Sequence, residues 1–167
     1  MTSARPSSLF DLANAAWDAG ERKRAFKLFL AAAQSGEEDA FNSVGYFFDH
    51  GIGVKKDPNS AFAWYRRAAL RGNLAGCLNL AVCYRNAGNL PRAKFWFKKA
   101  YAQGDGSAAY ELGRIYFKQR SSSSAERARK YLADALSSRY IAEDERDDAR
   151  SLLSQLKTKV RRRVRSG

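Results

Sequence analysis

Large apolar side chains recur along this chain at helical spacing, separated by glycine, proline and short polar turns. Ala25, Ala61, Ala93 and Ala128 each have a second alanine seven residues on, at Ala32, Ala68, Ala100 and Ala135. Three and four residues after the first alanine lie Leu28 and Phe29, Trp64 and Tyr65, Trp96 and Phe97, and Tyr131 and Leu132. Positions i, i+3, i+4 and i+7 share one face of an α-helix, so each phrase predicts a helix with one buried stripe. A second pattern alternates with the first. It pairs an aliphatic with a small residue, in Leu12 and Ala13, Val44 and Gly45, Leu80 and Ala81, and Leu112 and Gly113. One turn later, on the same face, come Ala16, Phe48, Tyr84 and Tyr116. The small residue admits a neighbouring helix while the aliphatic fills the core.

The two patterns predict helix pairs, A then B. A helices are expected near 7–18, 37–50, 74–87 and 106–118, and B helices near 21–34, 58–71, 90–103 and 124–138. Punctuation supports the boundaries. Asp57 before Pro58 reads as an N-cap with proline in the first turn, and Asn89, Leu90 and Pro91 repeat the device. Gly36, Gly72 and Gly104 follow the first three B helices, where a left-handed residue ends a helix, and Arg139 holds that place in the fourth. Ser121–Ser124 forms a short connector that caps the last B helix. A final helix from about Ile141 to Val160 or beyond starts acidic (Glu143, Asp144, Glu145, Asp147, Asp148) and ends basic, the order the helix dipole favours. Leu152, Leu153 and Leu156 give it one apolar stripe.

The alanine phrases are 36, 32 and 35 residues apart, a period that marks stacked helix-turn-helix repeats. The expected fold is all-α: a right-handed α-solenoid of about four repeats plus a C-terminal capping helix. Its divisions are an N-terminal lead-in at 1–6, the array at 7–139, the capping helix at 140–160 and a basic tail at 161–167.

Composition agrees and adds one anomaly. The hydrophobic fraction of 45% and only three prolines suit a folded helical chain. No apolar run is long enough for a membrane span. Met1–Ser8 has no apolar stretch resembling a secretory signal, so a cytoplasmic location is expected. Cys77 and Cys83 are six apart on one helix and point to different faces, as small apolar residues of a reducing compartment would. With His50 the only histidine, no metal site and no cofactor are expected. The anomaly is the formal net charge of +13. Lys157, Lys159, Arg161, Arg162, Arg163 and Arg165 supply six of these charges with no acidic residue among them, and the body keeps about seven. Such a field favours an acidic partner.

Catalysis finds no support. Asp49 and His50 are adjacent at a helix end with no nucleophile placed beside them. Glu37 and Glu38, like Asp147 and Asp148, sit at helix starts, where the dipole explains them. Gly51, Ile52 and Gly53 lack the Gly-Lys-Ser/Thr of a phosphate loop.

The stretch Gly51-Ile52-Gly53-Val54-Lys55-Lys56-Asp57, followed by Ala61, Trp64, Tyr65, Ala68, Ala69 and Gly72, resembles a Sel-one-like repeat. This is a relative of the tetratricopeptide repeats with a longer, glycine-containing turn between helices A and B. The other units have a shorter turn and resemble tetratricopeptide repeats. The resemblance covers about residues 8–138. It implies adaptors, chaperones, assembly scaffolds or, in bacteria, inhibitors of toxic effectors.

The same resemblance implies a concave face lined by A helices. The Leu-Ala register then places Phe10, Asn14 and Trp17 there, with Asp39, Asn42, Tyr46 and Asp49 from the second unit. Leu78, Val82, Arg85 and Asn86 follow from the third, and Tyr110, Arg114, Phe117 and Lys118 from the fourth. Trp17, Tyr46, Tyr110 and Phe117 are expected to bury apolar side chains of a partner protein or peptide, and Arg85 and Arg114 to pair with its carboxylates. Asn14, Asn42 and Asn86 are expected to hold its backbone. The leading expectation is a non-catalytic protein-interaction adaptor, with a bacterial chaperone or toxin-neutralising immunity protein as a special case. The alternative is nucleic-acid binding through the basic body and tail, released by salt.

Overall fold

The computed structural model describes residues 8–119 and 121–165, with side chains as far as Lys157. The chain divides into two compact units, Met1–Cys83 and Tyr84–Gly167.

In the first unit lie α1 (Leu9–Asp18), α2 (Arg22–Gln34), α3 (Ala40–His50) and α4 (Pro58–Leu70). The next helix, α5 (Leu74–Asn86), contributes Leu74–Cys83 to this unit and Tyr84–Asn86 to the second. Ser8 and Asp11 form a reciprocal capping box at the start of α1. Asp57 caps α4 as expected, its Oδ1 accepting from the backbone N–H of Asn59 at 3.0 Å and of Ser60 at 3.2 Å. The Ser60 bonds are the main reason its carboxyl lies below the ordinary aspartate value. The long α3–α4 turn needs glycine at 53: φ is 67°, and a Cβ there would stand 2.6 Å from the carbonyl oxygen of Arg22.

The second unit holds α6 (Leu90–Tyr101), α7 (Gly106–Lys118), α8 (Ser122–Ser137) and α9 (Glu143–Arg165). Asn89, Asp105 and Ser121 cap α6, α7 and α8 through side-chain oxygens. The last helix packs on α7 and α8. It is pinned by polar bonds as well as by Ala149 and Leu156. Arg146 donates to the backbone oxygens of Leu136 and Ser138 at 3.1 and 3.2 Å, and Ser107 donates to Glu145 at 2.6 Å. Its acidic start therefore clamps the preceding helices besides matching its own dipole.

The hydrophobic phrases fold as the spacing predicts. The eight B-helix alanines are at most 1% exposed, and Phe29, Tyr65, Phe97 and Leu132 are buried between them. On the A helices Ala13, Val44, Leu80, Ala81 and Leu112 are fully buried, but Leu12 is 43% exposed. It faces outward on α1, where no earlier helix among the described residues covers it. The small residues do what was expected of them. A Cβ on Gly45 would lie 2.6 Å from the Tyr65 ring, and one on Gly113 would lie 2.7 Å from Leu132.

Two outcomes test this packing. Alanine at Gly45 gains about 1 kcal/mol of helix propensity, but it drives a methyl into a buried ring that cannot retreat. Gly45→Ala is expected to cost a net 1–3 kcal/mol or so in urea unfolding; an unchanged midpoint would disprove the close approach. Second, Tyr101 donates to Asp134 at 2.7 Å, and that bond, followed by burial, pushes its phenol up to about 12. Its stabilisation is complete below the unfolded phenol value of about 10. It is lost as pH rises through about 12. The urea midpoint should therefore fall less steeply across that window in Tyr101→Phe than in the parent chain.

Candidate functional site

Eight of the fifteen residues expected on the concave face border a cleft, four in each unit and with different chemistry; Asp39, Leu78 and Val82 are among those that border neither. In the first unit Asn14 and Trp17 of α1 meet Asn42 and Tyr46 of α3 around a cleft of about 170 Å³ floored by Phe29 and Phe47. Trp17 stands edge-on to Phe47 with ring centroids 5.3 Å apart, and edge-on to Tyr46 at 6.5 Å. The Arg22 guanidinium lies 3.8 Å above the indole and donates to the Trp17 carbonyl at 3.0 Å, so the ring is clamped on several sides. Tyr46 is 38% exposed and packs on the His50 ring at 4.1 Å.

The two amides are oriented by internal bonds. Asn14 Nδ2 donates to the Phe10 carbonyl at 3.0 Å, which leaves its oxygen as an acceptor. Asn42 Oδ1 accepts from Asn79 Nδ2 at 2.9 Å, which leaves its own NH2 as a donor. One acceptor and one donor beside an aromatic surface suit the C=O and N–H of a peptide. Two neighbours play other parts. Phe10 packs edge-on against Phe29 at 5.6 Å, within the core. Asp49 accepts from the buried Tyr65 hydroxyl at 3.3 Å, and burial together with that carboxylate raises the phenol far above its ordinary value.

In the second unit Arg85, Asn86 and Arg114 border a larger cleft of about 480 Å³ with Glu111, Lys118 and Gln119. Its centre is a residue the sequence reading did not single out. Glu111 is 9% exposed, and its Oε1 accepts from both Arg85 Nη1 and, at 3.3 Å, Arg114 Nη1. Arg85 also donates through Nε and Nη2 to Asn86 Oδ1 at 3.4 and 3.2 Å. The (i, i+3) relation of Glu111 to Arg114 was visible in the sequence, whereas the Arg85 contact across 26 residues was not.

Two expected anchors differ. Tyr110 is only 6% exposed: α9 covers it, and its hydroxyl donates to Asp148 at 2.7 Å, so it is a packing residue and not an open anchor. Burial, then Asp148, raises its phenol above the ordinary range. Phe117 is half-buried and borders neither cleft. Of the basic tail, Lys157 is exposed; the side chains of Lys159, Arg161, Arg162, Arg163 and Arg165 lie outside the described ones. Among the described residues there is no His, Cys, Asp and Glu grouping able to hold a metal ion and no helix long and apolar enough to cross a membrane.

The Sel1 repeat family model matches residues 20–37, 42–73, 74–105 and 106–136, most of the chain. The chain belongs to the Sel1 repeat family. Sel1 repeats include the copies with a short turn as well as the second repeat with its long one, so turn length separates copies within one family. Proteins of this family generally act in protein interactions. A crystal structure of a Sel1 repeat protein from Oxalobacter formigenes superposes with a TM-score of 0.68 at 21% identity, over 78% of this chain and 54% of that one. The protective antigen c5321 of uropathogenic Escherichia coli gives 0.71 at 29% identity, over 76% of this chain and 29% of that one. A component of an ERAD-associated E3 ubiquitin-protein ligase of Arabidopsis thaliana, HRD3B, is 28% identical over 100 residues. Those residues are 59% of this chain and 16% of the plant protein. The chain thus spans only part of the length of each relative, and what it shares with the two solved structures is the all-α repeat solenoid.

The Arg85–Glu111–Arg114 cluster of this Sel1 protein makes a measurable claim. Glu111→Gln removes the charge that both guanidinium groups face and should destabilise the fold by about 1–3 kcal/mol in urea. Combined with Arg85→Gln, the losses should fall short of their sum by roughly 0.5–2 kcal/mol. Strict additivity would show that the pair contributes no coupling.

Proposed function

We propose that this Sel1 repeat protein is a non-catalytic adaptor that binds a partner protein or peptide against its A helices. The observation that supports this reading best is the first-unit cleft. Four side chains from two separate repeats, Asn14, Trp17, Asn42 and Tyr46, converge there, the Asn14 amide left with its oxygen and the Asn42 amide with its NH2. Aromatic rings held by packing lose little entropy on contact, and oriented amides match an extended backbone. Chaperoning a client, or neutralising a toxic effector by occlusion, would use the same surface.

A second reading, nucleic-acid binding, has its own support. Helices α2, α4 and α6 together contain ten lysines and arginines and no carboxylate. Phosphate backbones suit helices of this charge, and binding through them is steeply salt-dependent.

Affinity capture from the source lysate, with and without nuclease and at low and high salt, separates the two. The adaptor reading expects one stoichiometric protein that survives nuclease and salt. Tyr46→Ala, at an exposed ring, should lose that partner by at least about tenfold in affinity while keeping the thermal midpoint. Recovery of ribonucleoproteins that disappears on nuclease treatment would give the function to the basic helices instead. Full capture by Tyr46→Ala would remove the first-unit cleft from the interface.

A further inference from the structure

The second-unit cleft differs from the first in the state of its hydrogen-bonding groups. Its acceptors are largely consumed from within. Glu111 Oε1 takes Arg85 and Arg114, Asn86 Oδ1 takes two bonds from Arg85, and Gln119 Oε1 takes the Ser124 hydroxyl at 3.2 Å. The same lining side chains carry further donors: Nε and Nη2 of Arg114, Nζ of Lys118, and the NH2 groups of Asn86 and Gln119. The Arg114 guanidinium is steadied on its other side by the Tyr110 ring, 5.3 Å away. Glu111 Oε2 is the one carboxylate oxygen of the lining that takes no hydrogen bond among the described residues, so donors and positive charge outweigh free acceptors, and a cleft of that kind suits an oxyanion.

The charge sum narrows the class. Arg85, Arg114 and Lys118 against Glu111 leave two positive charges around the cleft. A single carboxylate balances half of this, whereas a phosphomonoester carries about −1.5 to −2 at neutral pH and three acceptor oxygens. Leu90, 37% exposed at the rim, adds an apolar surface for the residue beside the phosphoryl group.

We infer that the second-unit cleft is a phosphomonoester site, filled by a phosphorylated side chain of the protein that the adaptor binds. The inference rests on the adaptor reading for the source of the ligand and on the cleft itself for the chemistry. Glu111 is a positioning residue, since it presents both guanidinium groups without touching the phosphate. No bond is made or broken, and the site only binds.

The test follows the Nε–H signals of Arg85 and Arg114 by NMR in phosphate-free buffer. The full chain is titrated with an end-blocked pentapeptide carrying phosphoserine between leucines, with its serine and glutamate counterparts, and with inorganic phosphate. Phosphopeptide is expected to shift both signals and to bind at least about tenfold more tightly than the glutamate peptide, with no saturable shift from serine. Lys118→Gln, at an exposed position that leaves the core intact, should weaken it several-fold, and Arg114→Gln should weaken it further. Equal binding of the glutamate peptide would overturn the phosphomonoester assignment. Inorganic phosphate binding as tightly as the phosphopeptide would overturn the partner side chain as the source and make a free phosphate ester the ligand. Unmoved arginine signals with all four probes would overturn the site. Partner capture that still depended on Tyr46 would then leave the adaptor reading standing.

Discussion

Close approach of helices at small residues governs where everything else can stand. Tyr65 lies on Gly45 and Leu132 on Gly113, each so near that a single methyl would collide. In the same way Gly76 of α5 meets Ala68 of α4. These contacts fix the rotation of each A helix about its axis, and the rotation decides which side chains are presented outward. Tyr46 is one residue past Gly45 and Asn42 is three before it, so both turn into the first-unit cleft. Arg114, one residue past Gly113, holds the place of Tyr46, and Glu111, two before Gly113, holds that of Ser43, which also borders the first-unit cleft. A seam that looks purely structural therefore sets the geometry of both clefts.

The second constraint is electrostatic. A glutamate that is 9% exposed is costly unless its charge is answered, and Glu111 is answered twice. Its presence moderates what would otherwise be three adjacent cations, and it gives the arginines defined directions. Elsewhere the pairing is sparser and more exposed, as in Arg24 with Glu21 at 2.7 Å and Arg71 with Glu38 at 2.8 Å. Helices α2, α4 and α6 have no carboxylate of their own, and most of their lysines and arginines are exposed. The carboxylates concentrate instead at the start of α9, where Glu145 and Asp148 are engaged by Ser107 and Tyr110. The basic character of the chain is thus a property of its B helices and not of its tail alone.

Helix positions were legible in the sequence because each rests on local periodicity and caps. Alanines seven apart with large residues between them can bury only one stripe, and Asp57, Asn89 and Ser121 stop the chain where their side chains accept backbone N–H groups. The four first-unit cleft residues were legible for the same reason, as they follow from the register of two helices. What the register does not contain is a neighbour from farther along the chain. Nothing local to Tyr110 says that α9 will cover it, and nothing local to Arg85 says that Glu111 will meet it. Leu12 shows the converse, an aliphatic in the right register with no earlier described helix to bury it. Periodicity reports which face turns inward, but partners 26 or 38 residues away decide whether that face ends as core or as surface.

The two clefts ask for different things of whatever binds. The first offers clamped rings, one acceptor and one donor, and under the adaptor proposal it would recognise shape and backbone with little regard to charge. The second offers donors and net positive charge, and under the phosphomonoester proposal it would recognise a group by its oxygens. They share no residue, and no hydrogen bond named in either is borrowed from the other, so their contributions to affinity should combine as nearly independent terms. Independence also separates their salt responses, because only the cationic cleft depends on interactions that ions screen. A partner using both would keep part of its affinity in high salt and lose the rest. The retained fraction would measure the aromatic cleft directly, without any mutation in the fold that supports it.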